Sequence, residues 1–305
     1  MYFLSEEEKR LVLRRLLPQA RESGVHPDLR GWNWAQPPLS PPYEARLGLY
    51  EIAGQYCPTG RDVYLRRVEG IRVPPNALMV EGQVLHQAVA ELILMAKRII
   101  YSEGVGGCRR ALMSLREPDR SLLEGYSLSA EERAELEAKL DILWDFEYHR
   151  IVARVQDVLA RQPRIGPDSL VSLALPVTVE QKLDGSFLGL SSHLSADAFA
   201  FSEPMMMDIK FGERRDFHRL TTTGYALVME SIYEFPVNVG CIVYVAFEGE
   251  RLLVERDFHL IDDELRQWFI EARDERMRLV EEEIDPGLPG ECYQFCHYWG
   301  VCHPG

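Results

Sequence analysis

Apolar residues recur along this chain in two rhythms, and the switch between them divides it. In the first half Val84, Leu85, Ala88, Val89, Leu92 and Met95 return at steps of three and four. That period stacks side chains on one face of a helix and predicts a helix over 83–101 with that face buried. Ser129-Ala130-Glu131-Glu132 is a capping box, in which serine and glutamate satisfy backbone donors at a helix start. The long helix it predicts has Leu136, Leu140, Leu143 and Ile151 on its apolar side and ends by Pro163. An opening helix is expected to stop at Leu17, before Pro18, and to lead into an ordered loop over 31–43 bearing Trp32 and Trp34. Cys57-Pro58-Thr59-Gly60 reads as a turn ahead of a short helix over 62–67. Beyond Pro163 the pattern becomes alternation and continuous apolar runs, predicting strands at 170–179, 187–201, 205–211, 237–247 and 252–260. Helices are expected at 219–233 and 262–283. Helix, three strands, helix, two strands, helix is the order of an α/β mixed sheet with helices packed on it.

The 305 residues, 46% of them hydrophobic, suffice for a large core. The change of rhythm suggests a mainly helical region over 1–165, a sheet region over 166–283 and a tail over 284–305. No uninterrupted apolar run approaches the roughly 20 residues of a membrane span, and the acidic start is unlike a signal peptide, so a cytoplasmic, non-membrane protein is expected. The formal charge of -14 argues against a broad basic surface for nucleic acid. Any DNA contact must be local, with candidate clusters at Lys9, Arg10, Arg14 and Arg15, at Arg61, Arg66 and Arg67, at Lys97 and Arg98, and at Arg214, Arg215 and Arg219.

Four charged residues sit in or against the apolar strand runs: Glu180, Asp197, Asp208 and Lys210. Charges in such places are costly unless paired or bound to metal. Asp208 and Lys210 stand two apart, so on a strand they share a face. Two carboxylates with a lysine suit phosphodiester hydrolysis, because hard oxygens hold Mg(II) or Mn(II) and the ammonium stabilises developing negative charge. The structural alternative is a salt bridge between Asp208 and Lys210 at a sheet edge. His86, beside the apolar face of its helix, reads alone as a core residue.

Three of six cysteines, Cys292, Cys296 and Cys302, crowd one aromatic-rich tail. In a cytoplasmic protein that spacing points to metal rather than disulfides, and Cys57, followed by proline in a turn, is the candidate fourth ligand. One distant cysteine plus a close trio suits an iron-sulfur cluster better than the two close pairs usual for zinc, although His297 and His303 keep zinc open. Cys241 lies in a strand pattern and reads as a small buried hydrophobe. Cys108 is unassigned.

Together, Cys57-Pro58, His86, Asp197, Asp208-Ile209-Lys210, Tyr225 and the Cys292, Cys296, Cys302 tail resemble the CRISPR-associated RecB-like iron-sulfur exonucleases, the fourth Cas family, in its archaeal Csa-one-like subtype. The resemblance spans about 50–302. It implies a restriction-endonuclease-like (RecB-type) core over 166–283, an iron-sulfur cluster of 4Fe-4S type on Cys57, Cys292, Cys296 and Cys302, and a divalent ion held by His86, Asp197, Asp208 and the carbonyl of Ile209. It further implies Lys210 as catalytic lysine, with Glu180 and Tyr225 at the same site, and exonuclease action on DNA, single-stranded or at fragment ends, during CRISPR spacer acquisition with the integrase subunits. Two positions depart from the family pattern: Thr221 replaces a glutamine, and Leu194 a glycine. A catalytically weak structural or DNA-end-binding adaptor, and a zinc-stabilised binding module, are the competing functions.

Overall fold

The computed structural model describes residues 1–293 and 295–304. Ser5 caps α1 (Glu6–Leu11) through a capping box. The expected stop at Leu17 does not occur. A π-helical turn over Val12–Leu16 is followed by α2 (Leu17–Ser23), which places Pro18 in a first turn, where a missing N–H costs little. After a loop come α3 (Leu49–Ala53) and α4 (Arg61–Arg67), with Gly60 at φ 76° in the turn between Cys57 and α4. α5 runs over Ala77–Ala111, longer than the predicted 83–101, because Asn76 caps it by accepting from the Met79 N–H. A break at Gly104 (φ 64°) marks where its periodicity fades. α6 (Ala130–Arg161) starts at the Ser129 capping box and ends before Pro163, as predicted.

The apolar run at 170–179 is not one strand. Gly166 and Pro167 open a helix, α7 (Pro167–Ala174), which buries Leu170, Val171 and Ala174 on one face, and only then does β1 (Val177–Leu183) begin. The run at 187–201 is likewise shorter. A 3-10 turn at Ser186–Leu188 and Gly189 at φ 72° precede β2 (Leu194–Ala200). β3 (Met205–Phe211) and α8 (Arg219–Tyr233) stand where the pattern places them, and β4 (Val239–Glu248), β5 (Arg251–Leu260) and α9 (Asp263–Glu281) nearly so. A short α10 (Trp299–Cys302) closes the described tail. The five strands form one mixed sheet in the order β1-β2-β3-β4-β5; only β3 and β4 are parallel, and α8 is their crossover.

Two apolar clusters cover the sheet. The larger joins α5, α6 and α7 to Met205, Met207 and Ile209 of β3 and to Val239, Cys241 and Val243 of β4. By length and composition Ala77–Leu115 is apolar enough to cross a membrane, a possibility the search for uninterrupted runs passed over. Val84, Leu85, Ala88, Val89 and Leu92 are buried in this cluster, as predicted from their spacing, while Met95 is half-buried at its edge. The second cluster joins α3, α8 and α9 to Phe199 and Met206.

Beside it Arg266, fully buried, directs every N–H it has at an acceptor: both oxygens of Glu230 (2.8 and 2.9 Å) and the carbonyls of Leu29, Val237 and Ile261. Glu230 also accepts from Arg30 and from the Gly31 and Val237 N–H groups. This network clamps α8 between α9, the start of β4 and the loop before α3. The tail is tied separately: Tyr298 packs on Tyr64 and Leu65 of α4 and donates to the Ile71 carbonyl.

Candidate active site and cysteine cavity

The β2–β3 ladder runs from Ala200–Met205 to Ala198–Met207 and goes no further. One step on, where Asp197 faces Asp208, a side chain replaces the ladder: Asp197 Oδ2 accepts from the Ile209 N–H at 3.1 Å. On the other side of Asp197 the β1 chain is distorted, with Glu180 at φ 51°, a conformation that non-glycine residues seldom hold. The strands thus open at the point where their carboxylates collect.

His86 Nδ1 reaches Asp197 Oδ2 at 3.1 Å from α5, and Lys210 Nζ reaches Asp208 Oδ2 at 2.8 Å along β3. The salt bridge foreseen as the structural alternative is therefore present, but it is not at a solvent-exposed edge. Asp208 is 3% exposed, and its Oδ2, though within ion-pair distance of Lys210, has no hydrogen bond of acceptable geometry. Burial and the nearby Asp197 charge push the Asp208 carboxyl up to about 6 against the pull of Lys210. The His86 and Lys210 charges hold Asp197 down despite its burial. Among the described residues no three His, Cys, Asp or Glu side chains are drawn onto a single point; here each carboxylate is neutralised by its own cation.

Tyr225, on α8, donates to the Ser195 carbonyl at 2.5 Å, pinning β2 beside the opening. Burial and the Asp197, Asp208 and Glu180 charges all raise its hydroxyl well above the usual phenol range. Glu180 accepts from Ser195 Oγ at 2.6 Å and lies near Lys182, at the rim. Ile209 is fully buried between the two charged neighbours on β3. Glu180, Asp197, Asp208, Lys210 and His86 come together with Ile209 and Tyr225 where β1, β2 and β3 open.

Cys57, Cys292, Cys296 and Cys302 line a single cavity with Tyr56, Arg61, Asp62, Tyr293, Trp299 and His303. Burial raises the Cys296 and Cys302 thiols, with neighbouring cysteines contributing. All six cysteines are free thiols. Cys241 is buried in β4, as expected of a small hydrophobe, and Cys108 is buried on α5.

Over its whole length, residues 1–305, the chain matches the model of the family described as CRISPR-associated exonuclease Csa1. A protein of that name from Saccharolobus solfataricus is 33% identical over 99% of this chain and 100% of its own, and one from Thermoproteus tenax is 30% identical over 96% and 98%. The chain belongs to the Csa1 family.

Sequence reasoning did not find a hydrogen-bonded trio, Tyr56, His218 and Tyr244, in this Csa1-family chain. His218, 3% exposed in the turn before α8, bonds the Tyr56 hydroxyl through Nε2 at 2.9 Å and the Tyr244 hydroxyl through Nδ1 at 3.1 Å. Tyr56 adjoins Cys57 and tilts against Tyr293, the neighbour of Cys292. No local pattern signals a contact across 162 positions of chain. Two of the four candidate basic clusters, at 61–67 and 214–219, are neutralised by acids. Arg61 pairs with Asp285, Arg67 with Glu51, Arg215 with Glu213, and Arg214 and Arg219 with Asp257.

Proposed function

We propose that this chain is a divalent-metal-dependent DNA exonuclease with a restriction-endonuclease-like (RecB-type) core, trimming fragment ends for CRISPR spacer acquisition; the name shared by its relatives, CRISPR-associated exonuclease, supports the exonuclease activity. The observation that carries this reading is the convergence of Asp197, Asp208, Lys210 and His86 where β2 and β3 part, with a buried Asp208 oxygen left without a hydrogen bond. The donor set fits a hard ion: two carboxylates, an imidazole and the main chain at Ile209. When bound there, Mg(II) or Mn(II) supplies charge neutralisation for the phosphate and eases the ionisation of water.

The chain's own groups do the rest. Lys210, 2.8 Å from Asp208 Oδ2, would supply its ammonium to the negative charge that grows on the scissile phosphate. Tyr225 holds the Ser195 carbonyl and, through it, the strand bearing Asp197. Glu180 sits at the rim, within reach of an approaching strand. Thr221, in place of a glutamine, leaves water positioning to these groups, and together with the ion-paired arginines it favours the second reading, a DNA-end-binding adaptor that cuts weakly.

The four cysteines around one cavity fit an iron-sulfur cluster, whose thiolate ligands would fasten the tail to the turn before α4. Protein purified without oxygen is expected to be brown, with iron and acid-labile sulfide; colourless protein holding only zinc removes the cluster. The ion site is tested by Mn(II) titration followed by electron paramagnetic resonance. Wild type should take up one ion that Asp208→Asn does not, and equal uptake by both refutes the site.

A further inference from the structure

Lys210 is bordered by more than its carboxylate partner. In the parallel β3–β4 register Lys210 lies opposite Tyr244, which places the two side chains on the same face of the sheet. The Tyr244 hydroxyl donates to the Arg215 carbonyl at 3.4 Å. The same hydroxyl lies 3.1 Å from His218 Nδ1. His218 is neutral, because burial and the charges of Lys210 and Arg215 depress it to about 3. A neutral imidazole donates through one ring nitrogen and accepts through the other, so His218 links the Tyr244 hydroxyl at Nδ1 to the Tyr56 hydroxyl at Nε2, 2.9 Å away. The far end of the chain of bonds is the residue before Cys57, and its ring meets Phe217 edge-on at 4.9 Å.

We propose that Tyr56, His218 and Tyr244 form a hydrogen-bonded strut that holds Lys210 in position for reaction and fastens it to the turn bearing Cys57. The proposal rests on Lys210 being the catalytic lysine. Tyr56 and His218 are positioning residues: they act on the phosphate only through the lysine. The strut also joins the two centres of the molecule, since a shift of the Cys57 turn would displace the Tyr56 hydroxyl and, through His218, Tyr244, the cross-strand neighbour of Lys210.

Tyr56→Phe tests it, because the ring contacts with Phe217 and Tyr293 survive and only the hydroxyl is lost. On single-stranded DNA with Mn(II), kcat should fall roughly ten- to a hundredfold with KM little changed, the pattern of a misplaced catalytic group. Lys210→Ala is assayed beside it. An inactive Lys210→Ala with a Tyr56→Phe equal to wild type overturns the strut alone, whereas a fully active Lys210→Ala overturns the reading of the site.

A second readout needs no turnover. In protein labelled with 15N-histidine, His218 should appear in its neutral form, and Tyr56→Phe, Lys210→Met and Cys57→Ser should each shift its Nε2 resonance. An Nε2 signal unmoved by Tyr56→Phe refutes the hydrogen bond. One unmoved by Lys210→Met refutes the coupling to the lysine, and one unmoved by Cys57→Ser refutes the link to the cysteine turn.

Discussion

Lys210 and Asp208 could be placed side by side from the sequence because a strand has a period of two and nothing distant intervenes. His86 could be placed with them only through the family resemblance, since a histidine on an amphipathic helix has no local mark of a carboxylate partner; its position 3.1 Å from Asp197 arises from the packing of α5 near the sheet. The buried histidines that sequence reasoning passed over govern the response to acid. Burial depresses His218 to about 3 and His259 to about 4, against an ordinary value of 6.5. Both are neutral in the fold and become charged more readily in the unfolded chain, so the stability they contribute is full above pH 6.5 and declines as pH falls from there towards 4. Asp208, raised to about 6, acts in the opposite sense between its ordinary 3.8 and 6, and offsets part of this loss. Thermal melting across this range should show a falling midpoint on acidification and a shallower fall in His259→Gln. An identical slope in that variant would assign the acid sensitivity elsewhere.

At the scale of elements, α8 and β3 matched their predicted bounds because each carries an undivided pattern. The run at 170–179 misled because leucine and valine suit a buried helix as well as a strand, and only Gly166-Pro167 marked the helix start. What no pattern announces is the clamp on α8. Arg266 and Glu230 are both fully buried, so Glu230→Ala strands two arginines and should cost about 3–5 kcal/mol in chemical denaturation. A loss below about 1 kcal/mol would mean that water or rearrangement satisfies Arg266. The same clamp makes Gly31 intolerant of a side chain: a Cβ there falls 2.1 Å from the Leu227 carbonyl oxygen. Gly31→Ala should lower the melting midpoint clearly, whereas Gly290→Ala, which meets nothing, should leave it unchanged.

For the whole molecule, the cysteines bring together segments that the chain keeps far apart, Cys57 near the start and three thiols near the end around one cavity. The sequence displayed the trio through its spacing and Cys57 through its proline turn; the cavity and the aromatic contact of Tyr56 with Tyr293 appear only on folding. If a cluster joins these thiols, Cys296→Ala removes a cross-link and should lower the melting midpoint more than Lys210→Ala, which deletes a charge at the edge of an opening. Equal midpoints would deny the cysteines a structural role. The net charge of -14 and the paired arginines leave substrate binding to a small region, so activity should depend on the carboxylate-lysine end of the sheet more than on bulk electrostatics. The most direct test follows the digestion of end-labelled single-stranded DNA by wild type and Lys210→Ala, each with Mn(II) and with chelator. Wild type should shorten the label only with metal and Lys210→Ala in neither condition; shortening by wild type in chelator, or by the variant at the wild-type rate, would contradict the account.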